Sequence, residues 1–212
     1  MLFLSLLLSY LCGALPFGVI AGKLRGVDVR AVGSGNTGAT NVWRALGPGA
    51  GTIVFILDVL KGFAAPYIAR KLLGENYFDG IALCALMAVI GHTFSVFLKF
   101  RGGKGIATGL GAILGLAPWV ALIAVVSWSL VLLLTRMISA ASIIACIAAP
   151  LAAWLLHAPL AYFYAILFLT TVAFLKHIPN MKRIVAGTEP KVGRKPAVTA
   201  GDSLHARPSA DR

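Results

Sequence analysis

The sequence is poor in charged residues. Only 12% of its 212 residues are charged, against roughly 25% in ordinary soluble domains. Hydrophobic residues make up 59% of the chain. This balance excludes an ordinary soluble domain and predicts an integral membrane protein, with the lipid bilayer as its surroundings.

Acidic residues are the scarcest of the charged types. Seven Asp and Glu stand against nineteen Lys and Arg, so the formal net charge is +12. A basic excess could indicate a nucleic-acid partner. The basic residues lie at the ends of apolar runs and in loops, however, which is the distribution that the positive-inside rule describes. We therefore predict no nucleic-acid partner.

Familiar catalytic motifs are also missing. The three cysteines, Cys12, Cys84 and Cys146, lie inside apolar segments and are interpreted as small buried hydrophobic residues. No Cys/His or His/Asp/Glu cluster has metal-ligand spacing, and neither a Gly-x-Ser-x-Gly elbow nor a His-x4-Asp pair is found. The sequence thus disfavours a covalent or metal-dependent mechanism, and we expect no metal and no cofactor.

Long apolar runs are what the sequence has in quantity. The first run has no basic residue before it, so we interpret it as a retained span rather than a cleaved signal peptide. Five runs are each close to the roughly 20 residues that a helix needs to cross the hydrocarbon. They cover residues 2–22, 51–72, 78–98, 138–156 and 159–175.

A sixth apolar stretch, residues 105–134, is too long for one span of modest tilt. Pro118 lies in its middle, behind Gly115, where a turn is natural. We therefore divide the stretch into two spans, 105–117 and 119–134. The predicted fold class is an all-α integral membrane protein with about seven transmembrane helices.

The charge distribution predicts the orientation of these spans. Seven spans place loops 23–50, 99–104 and 135–137 on one side, together with the chain after residue 176. That side holds nearly all of the Lys and Arg, so we predict the N-terminus outside and the C-terminus in the cytoplasm. Residues 1–191 would form a single transmembrane domain. Residues 192–212, rich in Pro, Gly, Ala, Ser and charge, are predicted to be a disordered cytoplasmic tail.

A small, polar, glycine-rich loop follows the first apolar run, from Val32 to Arg44. Glycine lets backbone N–H groups approach a ligand closely, and a short helix beginning at Gly38 would offer free N–H groups to phosphate. The alternative is a flexible surface linker. The candidate ligands in this loop are Ser34, Gly35, Asn36, Thr40, Asn41 and Arg44.

A basic, glycine-rich loop follows the third run. Lys104 would enter a helix N-terminus beside glycine-exposed N–H groups, a combination that binds phosphate. It is not a Walker loop, because no Ser or Thr follows Gly-Lys. Arg101 could instead mark the membrane surface, and His92 could be a packing residue. The candidates here are His92, Arg101, Gly103 and Lys104.

Asp58 and Lys61 lie three residues apart inside the second apolar run, so they share one helix face. An ionisable pair within the bilayer is costly and usually functional. Two interpretations stay open: a structural pair that satisfies itself, or a brace for the arginine or lysine of another motif.

The last polar group lies at the ends of later spans. Ser139 and Ser142 begin one apolar run, and at least one of them is expected to cap its helix, leaving the other available to a ligand. His177 and Asn180 follow the final run. They add an imidazole and an amide on the predicted cytoplasmic side.

All four polar groups fall on the same side of the predicted topology. They supply many phosphate-binding groups and few bases, which suits positioning and electrostatic stabilisation of an already activated substrate. Phosphate would then be both the handle and the leaving group. The alternatives are a phosphate or organic-anion transporter, against which no internal repeat is found, and a non-catalytic membrane scaffold.

At these residues the chain resembles the bacterial acyl-phosphate:glycerol-3-phosphate acyltransferases, the PlsY family. The resemblance covers about residues 1–191, and the strings GSGNTGATN and FRGGKGIAT are its most specific parts. The chain has Thr37 where proline is common and Ala141 where glycine is usual, and neither change removes a charge. The matching segments are Gly33–Arg44, Asp58–Gly62, Gly91–Gly111 and His177–Lys191.

The resemblance implies transfer of a fatty acyl group from acyl phosphate to the 1-hydroxyl of glycerol 3-phosphate. The products would be lysophosphatidic acid and inorganic phosphate, in the first step of phospholipid synthesis. It also implies a multi-pass enzyme of the bacterial cytoplasmic (inner) membrane whose active site faces the cytoplasm. Acyl phosphate and glycerol 3-phosphate are then its partners, while the sequence carries no signal for an oligomeric state.

By position, the resemblance also implies roles for individual residues. Arg44 and Lys104 are expected to clamp phosphate, and Asn36 or Asn180 to steady the acyl oxyanion. His177 is either a general base or a group that orients glycerol 3-phosphate. Of the two serines, Ser139 matches the usual position and Ser142 could substitute for it. The expected substrate-binding set is Ser34, Gly35, Thr40, Asn41, His92, Arg101, Gly103, Ser139 and Ser142.

Overall fold

The computed structural model describes residues 1–193, so all but the first two residues of the predicted tail 192–212 lie outside the described residues. The described chain is all-α, as predicted, with one 3-10 turn at Val96–Leu98. Its helices are α1 (Leu2–Ala14), α2 (Phe17–Leu24), α3 (Ala39–Leu46), α4 (Pro48–Leu73), α5 (Phe78–Thr93), α6 (Ile106–Leu116), α7 (Pro118–Thr135), α8 (Ile138–Leu155), α9 (Leu160–Leu175) and α10 (Ile178–Val185).

Five stretches of the described chain are long and apolar enough to cross a membrane. They are Leu2–Leu24, Pro48–Leu73, Phe78–Leu98, Pro118–Thr135 and Ile138–Leu155. The pair α9 and α10, bent by 51°, makes a sixth if it counts as one span. Helix α6 has only 11 residues, or about 16 Å of helix. Length and composition therefore support five or six spans, and the predicted count of seven stays a prediction.

The predicted break in the stretch 105–134 is confirmed. Helix α6 ends at Leu116 and α7 begins at Pro118, with Ala117 between them. Proline fits the first position of a helix because its missing N–H would be unpaired there in any case.

The first apolar run, in contrast, is not the single helix that we predicted over residues 2–22. It breaks between α1 and α2, because Pro16 has no N–H to continue the helical hydrogen bonds and forces Leu15 into an extended conformation. Side chains from α4 and from the segment after α5 donate hydrogen bonds to the carbonyls at the break. Ser95 Oγ donates to Ala14 O at 2.6 Å, and Lys61 Nζ donates to Leu15 O at 2.7 Å.

Glycines allow α4 and α6 to pack closely. The four-residue spacing of Gly111 and Gly115 predicts such packing, and the structure confirms it: a Cβ at Gly111 would overlap the Val59 carbonyl, and one at Gly115 would meet Pro66. Gly109, with the same spacing from Gly105, differs because a Cβ there would enter open space. Only one of the two glycine pairs therefore lies in the helix contact.

Two apolar clusters form the core. The larger is built mainly from α5 to α9, around Ile81, Ile113 and Ile166. The smaller joins Val19, Val29, Val42 and Val54. Because Val29 and Val42 are fully buried, the polar loop between them is docked on α2 and α4. The short helix predicted from Gly38 is present as α3.

Candidate active site

Asn41 organises the glycine-rich loop. It is 1% exposed, and its Oδ1 accepts hydrogen bonds from Ser34 N at 2.8 Å and from Ser34 Oγ at 3.1 Å. Its Nδ2 donates to Val29 O at 2.7 Å and to Val32 O at 3.0 Å. The amide predicted to bind substrate thus has its bonding capacity occupied by the loop itself.

The rest of this loop is more open. Gly35 is exposed and has a φ of +68°, a conformation that favours glycine. Asn36 Oδ1 accepts from Gly38 N at 2.9 Å, which leaves the Asn36 amide nitrogen without a partner among residues 1–193. Helix α3 has no side-chain cap, and it carries Thr40 half-buried and Arg44 exposed one turn later.

The basic loop folds back on the end of α5. Gly102 N donates to Thr93 O at 3.1 Å and Gly103 N donates to His92 O at 3.2 Å. Gly105, at φ +80°, is the N-cap of α6, so Lys104 stands directly before the helix N-terminus, as predicted. Arg101 is exposed and forms no ion pair within the described part of the chain.

Lys104 joins this loop to α10. Its Nζ donates to Asn180 Oδ1, although the two residues are 76 positions apart. Asn180 Nδ2 donates to Glu189 Oε1 at 2.7 Å, and Arg183 Nε donates to Glu189 Oε2 at 2.7 Å. We call Lys104, Asn180, Arg183 and Glu189 the anion-site cluster, because two cations meet in it: Arg183 pairs with Glu189, and Lys104 is joined to the same carboxylate through Asn180.

Electrostatics within the anion-site cluster alter its ionisation. Burial and the neighbouring guanidinium of Arg183 lower the pKa of Lys104 to about 8, Glu189 acts in the opposite direction, and Arg44 lowers the pKa further. Burial raises the pKa of Glu189, but Ser139, Asn180 and Arg183 beside it outweigh burial and hold the pKa below its usual value. Arg44, which is exposed on α3, forms no hydrogen bond to this cluster among the described residues.

Ser139 and His177 lie beside the same cluster. Ser139 is 5% exposed, and its Oγ lies beside the Glu189 carboxylate, whose pKa it lowers, without a hydrogen bond of good geometry to any described residue. His177 is buried, with Nδ1 2.7 Å from Ala173 O. An imidazole that donates from Nδ1 to a carbonyl keeps Nε2 as an acceptor, so His177 has one nitrogen free for a substrate hydroxyl.

Ser142 is engaged by the fold instead. Its Oγ donates to Ile138 O at 2.9 Å and accepts from Trp128 Nε1 at 3.2 Å. The expectation that one serine caps α8 is wrong, since Met137 is the N-cap and its side chain accepts no hydrogen bond from the first turn of the helix. Both serines lie inside the first two turns of α8 and not at its N-cap position.

The predicted Asp58–Lys61 pair is present inside α4. Lys61 Nζ lies 2.8 Å from Asp58 Oδ1, and both side chains are 3% exposed. His92 Nδ1 approaches the same carboxylate oxygen at 3.7 Å. These three residues form a second polar cluster, which we call the brace cluster.

The structure thus brings together Lys104, Asn180, Ser139 and His177 around Glu189. It shows no hydrogen bond between Ser34, Gly35, Asn36 or Thr40 and the anion-site cluster in the described residues. Sequence reasoning missed Glu189 and Arg183. The available signal was a lone acid in a basic segment, since Glu189 is the only carboxylate between His177 and Lys191.

The site has little equipment for covalent or metal chemistry. Among residues 1–193, no three His, Cys, Asp or Glu side chains come together to hold a metal ion. Lysine, arginine, amide and hydroxyl groups predominate. Such a site can bind and orient anions and can stabilise negative charge that develops during a reaction.

Comparison with known proteins agrees with these features. The family model for glycerol-3-phosphate acyltransferase matches residues 3–187. The glycerol-3-phosphate acyltransferase of Symbiobacterium thermophilum is 42% identical over 89% of this chain and 94% of that protein. That of Thermus thermophilus is 44% identical over 90% of this chain and 95% of its own.

Solved structures show the same fold. The crystal structure of PlsY (YgiH), an integral membrane glycerol 3-phosphate acyltransferase, in its glycerol 3-phosphate form superposes with a TM-score of 0.87. It is 39% identical and covers 91% of this chain and 96% of that one. Its lysophosphatidic acid form gives a TM-score of 0.84 at 38% identity and covers 91% of this chain and 95% of that one. This chain, an all-helical integral membrane protein, belongs to the glycerol-3-phosphate acyltransferase family.

Proposed function

We propose that the protein transfers a fatty acyl group from acyl phosphate to the 1-hydroxyl of glycerol 3-phosphate, releasing lysophosphatidic acid and inorganic phosphate. The observation that carries the proposal is the anion-site cluster, in which Lys104 is held by Asn180 and the buried hydroxyl of Ser139 lies beside Glu189. A transporter is not favoured, because the family is one of acyltransferases.

An acyl phosphate needs little help from a nucleophilic side chain, because its phosphate is already a good leaving group. The hydroxyl oxygen of glycerol 3-phosphate attacks the acyl carbon, and the bond from that carbon to the phosphate oxygen breaks. The phosphate leaves with the electron pair of that bond. In this reaction Arg44 and Lys104 hold phosphate and neutralise the charge that builds on it.

The acyl oxyanion needs a hydrogen-bond donor. Asn180 already donates to Glu189 and accepts from Lys104, so its amide is committed to the anion-site cluster. Asn36 keeps its amide nitrogen free, because only its Oδ1 is bonded within the described loop. Of the two predicted donors, Asn36 therefore suits the oxyanion better and Asn180 suits the positioning of Lys104.

The hydroxyl proton has two destinations. His177 Nε2 could take it as a base, or His177 could orient the hydroxyl while the proton moves to a phosphate oxygen of the substrate. The His177→Ala variant separates these roles. Lost transfer with unchanged glycerol 3-phosphate binding supports the base, whereas weakened binding supports orientation.

We also propose the seven-span topology, with the N-terminus outside, the C-terminus cytoplasmic and the site facing the cytoplasm of a bacterial cell. In this topology the short helix α6 also crosses the membrane, as the fourth of the seven spans. The support is the charge distribution: the loops around Arg44, Lys104 and Arg136 and the segment after Lys176 carry most basic residues.

A purified-enzyme assay tests the reaction. Protein in detergent, given a long-chain acyl phosphate and glycerol 3-phosphate, should release phosphate and form lysophosphatidic acid in equal amounts. Acyl-coenzyme A in place of acyl phosphate should give no product. Folded protein that makes no lysophosphatidic acid from acyl phosphate contradicts the proposal.

A further inference from the structure

The brace cluster is not used by any step of the proposed reaction. Asp58, Lys61 and His92 are 2%, 4% and 9% exposed. Buried ionisable groups in a membrane protein are unfavourable unless they hold or serve something. Their contacts identify what each end of the cluster holds.

One end of the cluster holds the break in the first span. Lys61 Nζ forms an ion pair with Asp58 and donates a hydrogen bond to the carbonyl of Leu15, and it lies 5.2 Å from the centre of the Phe17 ring. These contacts satisfy a carbonyl that the break leaves without a helical partner. The role of Lys61 is thus explained by the fold.

The other end lies under the basic loop. The imidazole of His92 sits between Asp58 and Gly103, so close to the latter that a Cβ at Gly103 would overlap Nε2. A Cβ at Gly102 would overlap the His92 carbonyl. Gly103 also donates its N–H to that carbonyl. The backbone immediately before Lys104 therefore rests on His92 through both ring and main chain.

This loop needs such a support. Lys99 and Phe100 are consecutive non-glycine residues at φ +52° and +62°. That conformation is strained and persists only where the surroundings enforce it. Without the His92 ring beneath Gly103, the loop can relax, and Lys104 is no longer held in position to bond Asn180.

We propose that His92, which packs against Asp58, is a positioning residue that fixes Gly103 and thereby directs Lys104 into the anion-site cluster. The inference rests on the proposed role of Lys104 in holding phosphate. His92 itself need not touch substrate. Its effect on the reaction passes through Lys104. Experiments can therefore distinguish it from an effect of His92 that does not involve Lys104.

Two substitutions of His92 divide its contacts. His92→Asn keeps an amide near Asp58 and removes the ring atoms under Gly103. His92→Gln can place a polar atom near the Nε2 position and so fills part of the space beneath Gly103. We expect His92→Asn to lower kcat/KM for glycerol 3-phosphate at least about tenfold, because small displacements of positioning groups have effects of this size. His92→Gln should lose less, and equal losses would overturn the role of the Gly103 contact.

His157→Asn is the matched control. His157 is exposed and lies at the other end of α8, with φ +50°, a conformation that Asn tolerates. We expect its kinetics to match the wild type. A loss equal to that of His92→Asn would overturn the proposal, since it would show that the effect is not specific to the support of Lys104.

A double-mutant cycle that combines His92→Asn with Lys104→Ala tests whether His92 acts on the reaction through Lys104. If His92 acts only through Lys104, the double variant is no worse than Lys104→Ala alone. A further loss of about tenfold in the double variant means that His92 acts independently and overturns the proposal. A wild-type enzyme that forms no product in this assay counts instead against the proposed reaction.

A pH profile covers the case in which Lys104→Ala has no measurable rate. Lys104 faces Arg44 from α3, Arg183 from α10, Glu189 from the following turn and His177. Burial and the two guanidiniums lower the pKa of Lys104 to about 8. A loosened loop exposes Lys104, so the alkaline inflection of kcat/KM should move up by about one pH unit in His92→Asn. An unmoved inflection overturns the proposal, and His92→Gln serves for the same measurement if His92→Asn does not fold.

Discussion

At the scale of single residues, Asn41 holds the glycine-rich loop in one conformation. Its side chain connects Ser34 with the carbonyls of Val29 and Val32. Gly33 can approach Asn41 closely because it has no Cβ. A Cβ at this position would lie 2.5 Å from Asn41 Oδ1. The conformation of Ser34 and its neighbours thus depends on the buried side-chain amide of Asn41.

Asn41→Ala should destabilise the protein and lower its activity. The substitution leaves the Ser34 N–H and two carbonyls without their partners, at about 1 kcal/mol or more for each, so we expect a loss of about 2–4 kcal/mol. Thermal or denaturant unfolding in detergent measures it. Asn76→Ala, at an exposed position, is the control, and equal stability of the two variants would contradict the role given to Asn41.

Lys104 predicts a fall of activity at alkaline pH. Its pKa of about 8 lies below the usual 10.5, so the free enzyme loses this positive charge as the pH rises through about 8. We expect kcat/KM for glycerol 3-phosphate to fall there. Lys104→Arg keeps its charge, so the fall should shift to much higher pH in any variant activity that remains.

The stability of the protein should change in the opposite direction. Between pH 8 and 10.5 the unfolded chain holds more protons on Lys104 than the folded chain does, because burial and Arg183 lower the folded pKa. Stability from this group therefore rises with pH. An alkaline loss of activity that coincided with unfolding would contradict the assignment to Lys104.

Local spacing predicted some residue contacts and could not predict others. Asp58 and Lys61 were predicted because residues three apart on a helix share a face. The sequence predicts Lys104 and Asn180 separately as site residues. Their contact spans 76 positions and depends on how α6 and α10 pack, so local spacing does not predict it. Glu189 was missed because a single acid in a basic segment has no local pattern that marks it as buried.

At the scale of helices, Pro118 and Pro16 both interrupt an apolar run, but hydropathy predicts only the break at Pro118. Pro118 was interpreted as a break because the apolar stretch around it is too long for one span. Pro16 lies in a run of ordinary length, so we predicted continuity, and the structure breaks there instead. The break is tolerated because Ser95 and Lys61 bond the exposed carbonyls.

The contact between α4 and α6 predicts unequal effects of two glycine substitutions. Gly111→Ala should destabilise the protein by about 2 kcal/mol or more, because its methyl group overlaps the Val59 carbonyl and the helices must separate. Gly109→Ala should be neutral or stabilising by up to about 1 kcal/mol, since it meets open space and favours helix. Unfolding midpoints in detergent measure both, and equal effects would contradict the proposed contact.

At the scale of the whole molecule, the proposed topology predicts which loops face each side. After replacement of Cys12, Cys84 and Cys146 by alanine, single cysteines are placed by Glu75→Cys and Lys191→Cys. A membrane-impermeant maleimide should label the first in intact cells and the second only in inverted vesicles. Labelling of both from the same side would contradict the seven-span topology.

The break at Leu15 also constrains how the protein is made. The donors that hold its two carbonyls lie 46 and 81 residues further along the chain. Neither donor can bond these carbonyls until its own segment has entered the bilayer. The carbonyls at the break therefore acquire these hydrogen bonds only after α4 and α5 have followed the first span into the bilayer, so an early segment of the chain completes its native contacts late.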